Sequence, residues 1–439
     1  MPDGSERVLV AMSTTHEATR RMASVLQDEG LLSEFLVPFD SSGLDGVLTK
    51  FGPLGKPFRR PLRQWAQQPR ATSGAVLQEI ACAIAFRLAG NRQERIRIAS
   101  LVRWRVRAMD RSLRRRLERN PTDTLLVLQN FHRAAFGEAA ASGTSIWLIA
   151  NSDVWGLNES LSALAEEAPP GAWRDEILRE LPSRAARDDA GDIAIARAVI
   201  VESPRIGNTV RAMVKPGTPI LEIGQGVDPG TFVPPAIRDL SARRLRAIQV
   251  SRIAHGKGLT AANRAAGLAR DSLERFRVLG WEAERAPLLA RSCANLDLAG
   301  GTSHAHVVSE LQAADVLVLP TLGDSMPRAV LEGMACGLPV ITTHASGYDH
   351  LIRSGDNGFL VAPGDAEAIA ALLARLAADG ALRERIGRAA RATAEANTWD
   401  ALEERFRRAL SGELGGRLRA GAPRPSVGDP VPADRREGA

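Results

Sequence analysis

Short apolar runs recur along the chain, each followed by a longer stretch whose apolar positions fall three and four residues apart. RVLVAM (7–12), FLVPF (35–39), TLLVLQN (124–130) and SIWLIAN (145–151) are apolar almost throughout, as strands covered on both faces must be. After the first run, STTHEATRRMASVLQDEG predicts a loop, a helix and a stop at Gly30. Residues 75–119 predict a helix with Val102, Val106, Met109, Leu113 and Leu117 on one stripe, and 132–142 predict another. The Gly-, Pro- and Arg-rich segment 44–75 predicts loop, and the acidic, Pro-punctuated segment 156–189 predicts helices. DIAIARAVIVESP (192–204) ends in a strand, and PRIGNTVRAMV starts a helix.

At TPILEIGQGVDPGTFVPPAIRD (218–239) a cluster of Gly and Pro breaks this rhythm and predicts a linker. Beyond it the alternation restarts. RAIQVS (246–251), FRVLG (276–280), NLDLAG (295–300), DVLVLP (315–320), LPVITT (338–343) and GFLVA (358–362) predict strands separated by helices. Helices at 365–379 and 381–396 follow, then WDALEERFRRAL. The fold class is α/β. Two Rossmann-like units, 1–217 and 241–397, are joined by a linker at 218–240 and face a central cleft. A crossover helix at 398–411, with Trp399, Leu402, Phe406 and Leu410 on one stripe, returns to the first unit, and 412–439 predicts a disordered tail. Ligands of open α/β sheets sit outside the carboxyl ends of the strands, so the loops there come first for chemistry.

Composition narrows the class without choosing a function. An apolar content of 44% and a charged content of 25% over 439 residues fit a soluble globular chain with room for two or three cores. No apolar run reaches the roughly 18 residues of a membrane span, and the start MPDGSERVLVAMS lacks the layout of a signal peptide. Cys82, Cys293 and Cys336 lie far apart without metal-ligand spacing, which fits free buried thiols in a reducing cytoplasm. The net charge of +6 is uneven. Between Arg59 and Arg119 stand 16 Arg against 4 acids, a local +12 that leaves −6 for the rest.

Lysine is scarce: Lys50, Lys56, Lys215 and Lys257 stand against 53 Arg. Lys257 lies five residues after Arg252 in VSRIAHGKGL, at a strand's carboxyl end. Two cations there suit a diphosphate, one as a fork and one as a point charge, or they are simply solvated. In TLGDSMPRAVLEGMACGLPVI (321–341), Asp324 or Ser325 is placed to cap a helix, with Pro327 tolerated in its first turn. Free amides at that helix start would bind an anion. Glu332 is four residues after Arg328, the spacing of an exposed ion pair, but a carboxylate also binds paired ribose hydroxyls.

Taken together these segments resemble the retaining family 4 glycosyltransferases, which have the GT-B fold. The family pattern of Glu, seven residues, Glu and then Gly-x-Pro-Val is matched by D-SMPRAVL-E and MACGLPV, with Asp324 in place of the first Glu. The family's Arg-x4-Lys is R-IAHG-K, Arg252 to Lys257, and IGQGVDPGTFVPP is similar to its linker signature. ELQAADVLVLPT, ASGYDHLI, NGFLVAPGD and TWDALEERF follow in the family's order. The resemblance runs from about residue 195 to 411. It implies that Arg252 and Lys257 hold the donor diphosphate, that Glu332 holds the nucleotide ribose, and that Asp324 contacts the donor sugar. Backbone amides around Ser325 and Met326, beside Pro327, would complete the phosphate site. It implies no metal and no cofactor, the nucleotide-diphosphate sugar being the substrate. The glycine pair that follows the family's first strand is absent, replaced by Ser13-Thr14-Thr15.

The first unit would bind the acceptor, a glycan, a glycolipid or another molecule, in envelope or exopolysaccharide biosynthesis. Candidate contacts at its strand ends are Ser13, Thr14, His16, Asn130, His132 and Asn151; lone histidines of this kind are more often structural hydrogen-bonders. The Arg-rich segment 87–119, with Trp104, is read either as a surface for an anionic membrane or as ordinary solvated arginine. Nucleic acid is disfavoured, because aromatic residues make up 4% of the chain and no recognition motif accompanies the charge. The expected enzyme is thus a metal-independent hexosyltransferase, cytoplasmic and peripheral at the inner face of the membrane. A catalytically silent GT-B-like binding or scaffold subunit is the competing reading. A dinucleotide-dependent oxidoreductase is disfavoured, since no G-x-G-x-x-G follows strand 7–12.

Overall fold

A computed structural model of the chain describes residues 7–12, 16–37, 71–75, 77–78, 81–82, 92–129, 133–150, 154–181, 190–238, 241, 243–280, 293–300 and 303–414. The apolar runs form two parallel sheets. In the first, β1 (Val8–Ala11), β2 (Leu32–Val37), β3 (Ala71–Ser73), β4 (Thr124–Leu128), β5 (Ser145–Ala150), β6 (Ala198–Val201) and β7 (Ile220–Glu222) take the order β3-β2-β1-β4-β5-β6-β7. In the second, β8 (Leu245–Val250), β9 (Leu273–Leu279), β10 (Leu296–Ala299), β11 (Val316–Leu319), β12 (Val340–Thr343) and β13 (Phe359–Val361) take the order β10-β9-β8-β11-β12-β13. Each order reverses at its first strand, leaving a crevice between β1 and β4 and another between β8 and β11.

Between the strands run α1 (Glu17–Asp28), α2 (Arg92–Arg119), α3 (Arg133–Ala141), α4 (Val154–Glu167), α5 (Ala172–Arg179), α6 (Ala190–Ile195) and α7 (Pro204–Arg211). In the second half follow α8 (Leu259–Leu268), α9 (His304–Ala313), α10 (Arg328–Ala335), α11 (Ala366–Ala378), α12 (Gly380–Glu395) and α13 (Trp399–Ala409). Four apolar clusters fill the two faces of each sheet. On α2, Met109 and Leu113 are fully buried against the first sheet, while Val102, Val106 and Leu117 are half-buried.

Two strands occupy stretches expected to be irregular. β3 lies in the segment read as loop, and β7 lies in the segment read as linker. Both are three-residue edge strands that borrow a register from an established neighbour, β2 and β6. Pro219 sits directly before β7, at an edge where no ladder donor is needed on its outer side. At the other end, a π turn at Leu410–Leu414 extends the chain past residue 411, and 415–439 lie outside the described residues. None of the three cysteines is in a disulfide; Cys82 and Cys336 are buried, whereas Cys293 is half-exposed. Burial pushes the Cys336 thiol up to about 12.

The chain crosses between the sheets more than once. Val227 of the linker bridges Thr398 at the start of α13, with Val227 N–H donating to the Asn397 carbonyl at 3.1 Å. Leu402, Phe406 and Leu410 then join the core of the first sheet. A further crossing comes from α4 and α5. They precede the linker in sequence, yet Leu161, Ala165, Trp173 and Ile177 pack in the core of the second sheet with Leu245, Ile253 and Leu322.

Candidate functional site

The loops leaving β8 and β11 meet at the crevice of the second sheet. The first carries Arg252 and a 3₁₀ turn, His255–Lys257, that ends in Gly258 with φ 79°. Only glycine fits there: a Cβ would fall 1.9 Å from the Pro320 carbonyl oxygen of the facing loop. The two loops are stitched together where they touch. Thr321 Oγ1 and Leu322 N–H both donate to the Gly256 carbonyl at 3.0 Å. Buried Gln249 of β8 donates to the Lys257 carbonyl at 2.9 Å.

This stitching brings the Lys257 ammonium onto the Asp324 carboxylate as an ion pair, partly screened from solvent. Arg252, Lys257, Asp324, Arg328, Ala329 and Glu332 line one pocket together with Val250 and Leu319. Burial raises the Glu332 carboxyl above its ordinary value, and the charges of Arg328 and His304 oppose the rise. The expected Arg328–Glu332 ion pair is not formed among the described residues; Arg328 is exposed and turned to the pocket instead.

The helix start departs from the sequence expectation. Neither Asp324 nor Ser325 caps α10; its N-cap is Pro327, which has no side chain able to accept from the first turn. The Asp324 carboxylate instead accepts from Ser325 N–H at 3.1 Å, and Met326 N–H donates to the Ser346 carbonyl at 2.9 Å. The two amides assigned to a phosphate are therefore already used within the loop. The next two amides belong to Arg328 and Ala329, which begin α10 and line the same pocket. Met326 itself is buried with φ 49°, the only non-glycine residue described with a positive φ. Strain of this kind marks a turn that its surroundings hold in place. Tyr348, fully buried, contributes by donating its hydroxyl to the Pro327 carbonyl at 3.1 Å.

Across the cleft a second pocket draws residues from both sheets. His16, Glu17, Glu202 and Gln225 line it from the first, and Ser325, Met326, Pro327 and Arg328 from the second. His16 Nδ1 accepts from Thr19 N–H at 3.3 Å, capping α1, so Nε2 carries the proton and donates to Glu202 Oε1 at 3.2 Å. Gln225 Nε2 donates to the same oxygen, also at 3.2 Å. The Ser325 hydroxyl is buried in this pocket without a partner among the described residues.

Of the acceptor-side candidates, His16 is thus placed against the loop that carries Ser325 to Arg328. Ser13, Thr14, Asn130, His132 and Asn151 lie outside the described residues. Glu202 and Gln225 were not singled out from the sequence. The signal for Glu202 was present: it is the polar residue that directly follows the apolar strand AVIV, at a carboxyl end. Gln225 lies within the Gly- and Pro-rich linker and carries no such mark.

Comparison with known proteins bears on the fold. Residues 238–393 match the family described as "Glycosyl transferases group 1". An amylovoran biosynthesis glycosyltransferase, AmsK of Erwinia amylovora, is 32% identical over 180 residues, 38% of this chain and 44% of that protein. The chain therefore matches less than half the length of that relative. Among solved structures, sucrose-phosphate synthase from Thermosynechococcus elongatus superposes with a TM-score of 0.63 at 15% identity, over 95% of this chain and 100% of that one. Anabaena Alr3699/HepE, solved with UDP and glucose, gives 0.57 at 14% identity, over 92% and 99%. The chain has the two-domain α/β GT-B fold.

Proposed function

We propose that this chain, which carries a group 1 glycosyltransferase domain over residues 238–393, is a retaining, metal-independent hexosyltransferase using a nucleotide-diphosphate sugar. The observation that carries the reading is the convergence of Arg252, Lys257, Asp324 and Glu332 on one pocket at the crevice of the second sheet. In this reading Glu332 receives the ribose hydroxyls and Asp324 reaches the donor sugar. Arg252, Lys257 and the amides of Arg328 and Ala329 meet the diphosphate. Negative charge grows on the leaving phosphate in the transition state, and cations already fixed around it stabilise that charge without reorganising.

The acceptor hydroxyl would attack the anomeric carbon from the face the diphosphate leaves. The bond from that carbon to the phosphate oxygen breaks, and the hydroxyl proton passes to the departing phosphate. Cleft closure would keep water from taking the acceptor's place.

The acceptor side is assigned to the first sheet, with His16 nearest the donor loop. A relative named for amylovoran biosynthesis supports a glycan or lipid-linked acceptor in envelope or exopolysaccharide assembly. Work at the inner face of a membrane also suits α2. Arg103, Arg107, Arg111, Arg115 and Arg119 are all exposed on it and, among the described residues, form no ion pair, whereas Arg114 and Arg116 are held by Glu138 and Glu34. Trp104 is exposed on the same side. No helix among the described residues is long and apolar enough to cross a membrane. No observation favours a catalytically silent scaffold.

The test is a thermal-shift panel of UDP, GDP, ADP and their sugars on the full chain. A ligand at 100 times its Kd stabilises by about 2.7 kcal/mol. A flat response to the whole panel would remove the donor-site assignment.

A further inference from the structure

Helix α5 presents one row of side chains to the turn that bears Lys257. Trp173, Glu176 and Glu180, spaced three and four residues apart, all meet His255 or its neighbour. Glu180, at the C-cap of α5, accepts from His255 N–H at 2.7 Å with one oxygen and from Gly256 N–H at 2.8 Å with the other. The residue in the N-cap position of this turn, Ala254, has no side-chain acceptor to offer. A carboxylate from another part of the chain therefore does the capping. Bonds from backbone amides to an ionised group are stronger than neutral ones, and these two fix the backbone one residue before Lys257.

The rest of the contact supports the same role. The Trp173 ring meets the buried His255 ring edge-on at 4.7 Å and 85°. His255 Nδ1 lies 2.8 Å from Thr260 Oγ1. Leu157 of α4 closes against both loops at once: a Cβ on Gly323 would lie 2.9 Å from Leu157 Cβ, and one on Gly256 3.2 Å from Leu157 Cδ1. Ser160 Oγ donates to the Leu322 carbonyl at 3.1 Å. Thus α4 and α5 touch the two loops that supply Lys257 and Asp324.

We infer that Glu180 is a positioning residue: by capping the His255–Lys257 turn from a segment that precedes the linker, it sets where the Lys257 ammonium stands against Asp324. Its relevance to a donor diphosphate rests on the function proposed above, while the anchoring itself does not. Removing the carboxylate frees two amides and lets the turn, with Lys257, leave its partner.

The scarcity of lysine makes this measurable without substrate. Full-length parent, Glu180→Ala and Glu180→Gln are treated with formaldehyde and a borane reductant, and methylation of each lysine is timed by mass spectrometry. Exposed Lys215 is the internal reference. In Glu180→Ala, Lys257 is expected to react several-fold faster while Lys215 is unchanged. Glu180→Gln keeps one acceptor oxygen and should give a smaller increase. If the alanine variant fails to fold, the glutamine variant decides. An unchanged Lys257 rate in a folded variant overturns the inference. Failure of UDP, GDP and ADP to bind the parent would overturn the donor reading alone, because the labelling comparison needs no nucleotide.

Discussion

Lys257 and Asp324 are 67 residues apart in sequence and meet as an ion pair where the loops after β8 and β11 converge. On the function proposed above, an arriving diphosphate would give Lys257 a second anionic partner and leave Asp324 free to accept from a sugar hydroxyl.

Substituting the two residues should therefore have different consequences. Lys257→Ala is expected to weaken nucleoside diphosphate binding by about 10- to 100-fold, the worth of a charge-assisted hydrogen bond of about 1.5–3 kcal/mol. Asp324→Asn should leave that affinity within about threefold yet lower sugar transfer by a factor of the order of 10². Isothermal titration alongside a transfer assay separates them; equal loss of nucleotide affinity in both variants would contradict this division.

Glu332 gives a pH signature. Burial lifts its carboxyl above the ordinary 4.5, so the folded chain holds that proton more tightly than the unfolded chain. Its contribution to stability is then lost as pH rises from about 4.5 through the raised value, so the buried acid costs stability above that range. Glu332→Gln is expected to raise Tm at pH 7, with the gain shrinking toward pH 4.5, while nucleotide affinity falls. A Tm difference that does not vary with pH would refute the burial argument.

Glu202 should behave as a residue of the acceptor side. Its carboxylate is held by His16 and Gln225 within the pocket that also contains the Ser325 hydroxyl, which has no partner among the described residues. Glu202→Gln is expected to leave nucleoside diphosphate affinity unchanged within about twofold and to reduce transfer by 10-fold or more, the scale of one lost hydrogen bond to a charged group. Unimpaired transfer would place the acceptor elsewhere.

The arginines of α2 call for a vesicle assay. Replacing Arg107, Arg111 and Arg115 with Gln should weaken binding to anionic vesicles by about 100-fold, at about 1 kcal/mol per cation, and binding by the parent should fall with added salt. Equal binding of parent and variant to anionic and neutral vesicles would exclude this face as the membrane contact. Tight binding of RNA instead would move the assignment to nucleic acid.

The second half was legible because its signals are local. Six apolar runs became six strands, and the short spacing from Arg252 to Lys257 and from Asp324 to Glu332 survived folding as one pocket. What failed to show was whatever depends on partners far along the chain. Asp324 has the composition of a helix cap, yet Lys257 competes for its carboxylate and the cap position falls three residues later. The amides of Ser325 and Met326 look free in the sequence and are taken by Asp324 and by Ser346. β3 and β7 are too short to carry an alternation of their own and exist only because β2 and β6 lie beside them. Glu180 resembles any acid at a helix end until the turn it caps is known.

The packing of α4 and α5 has a consequence for how such proteins can be recombined. The linker near residue 218 is the natural place to cut if donor specificity is to be exchanged between relatives. A cut there would carry off the second sheet and leave behind Leu161, Ala165, Trp173 and Ile177, which help fill its core. A working chimera must instead move residues 154–181 together with the C-terminal half, as one inherited block split across the sequence.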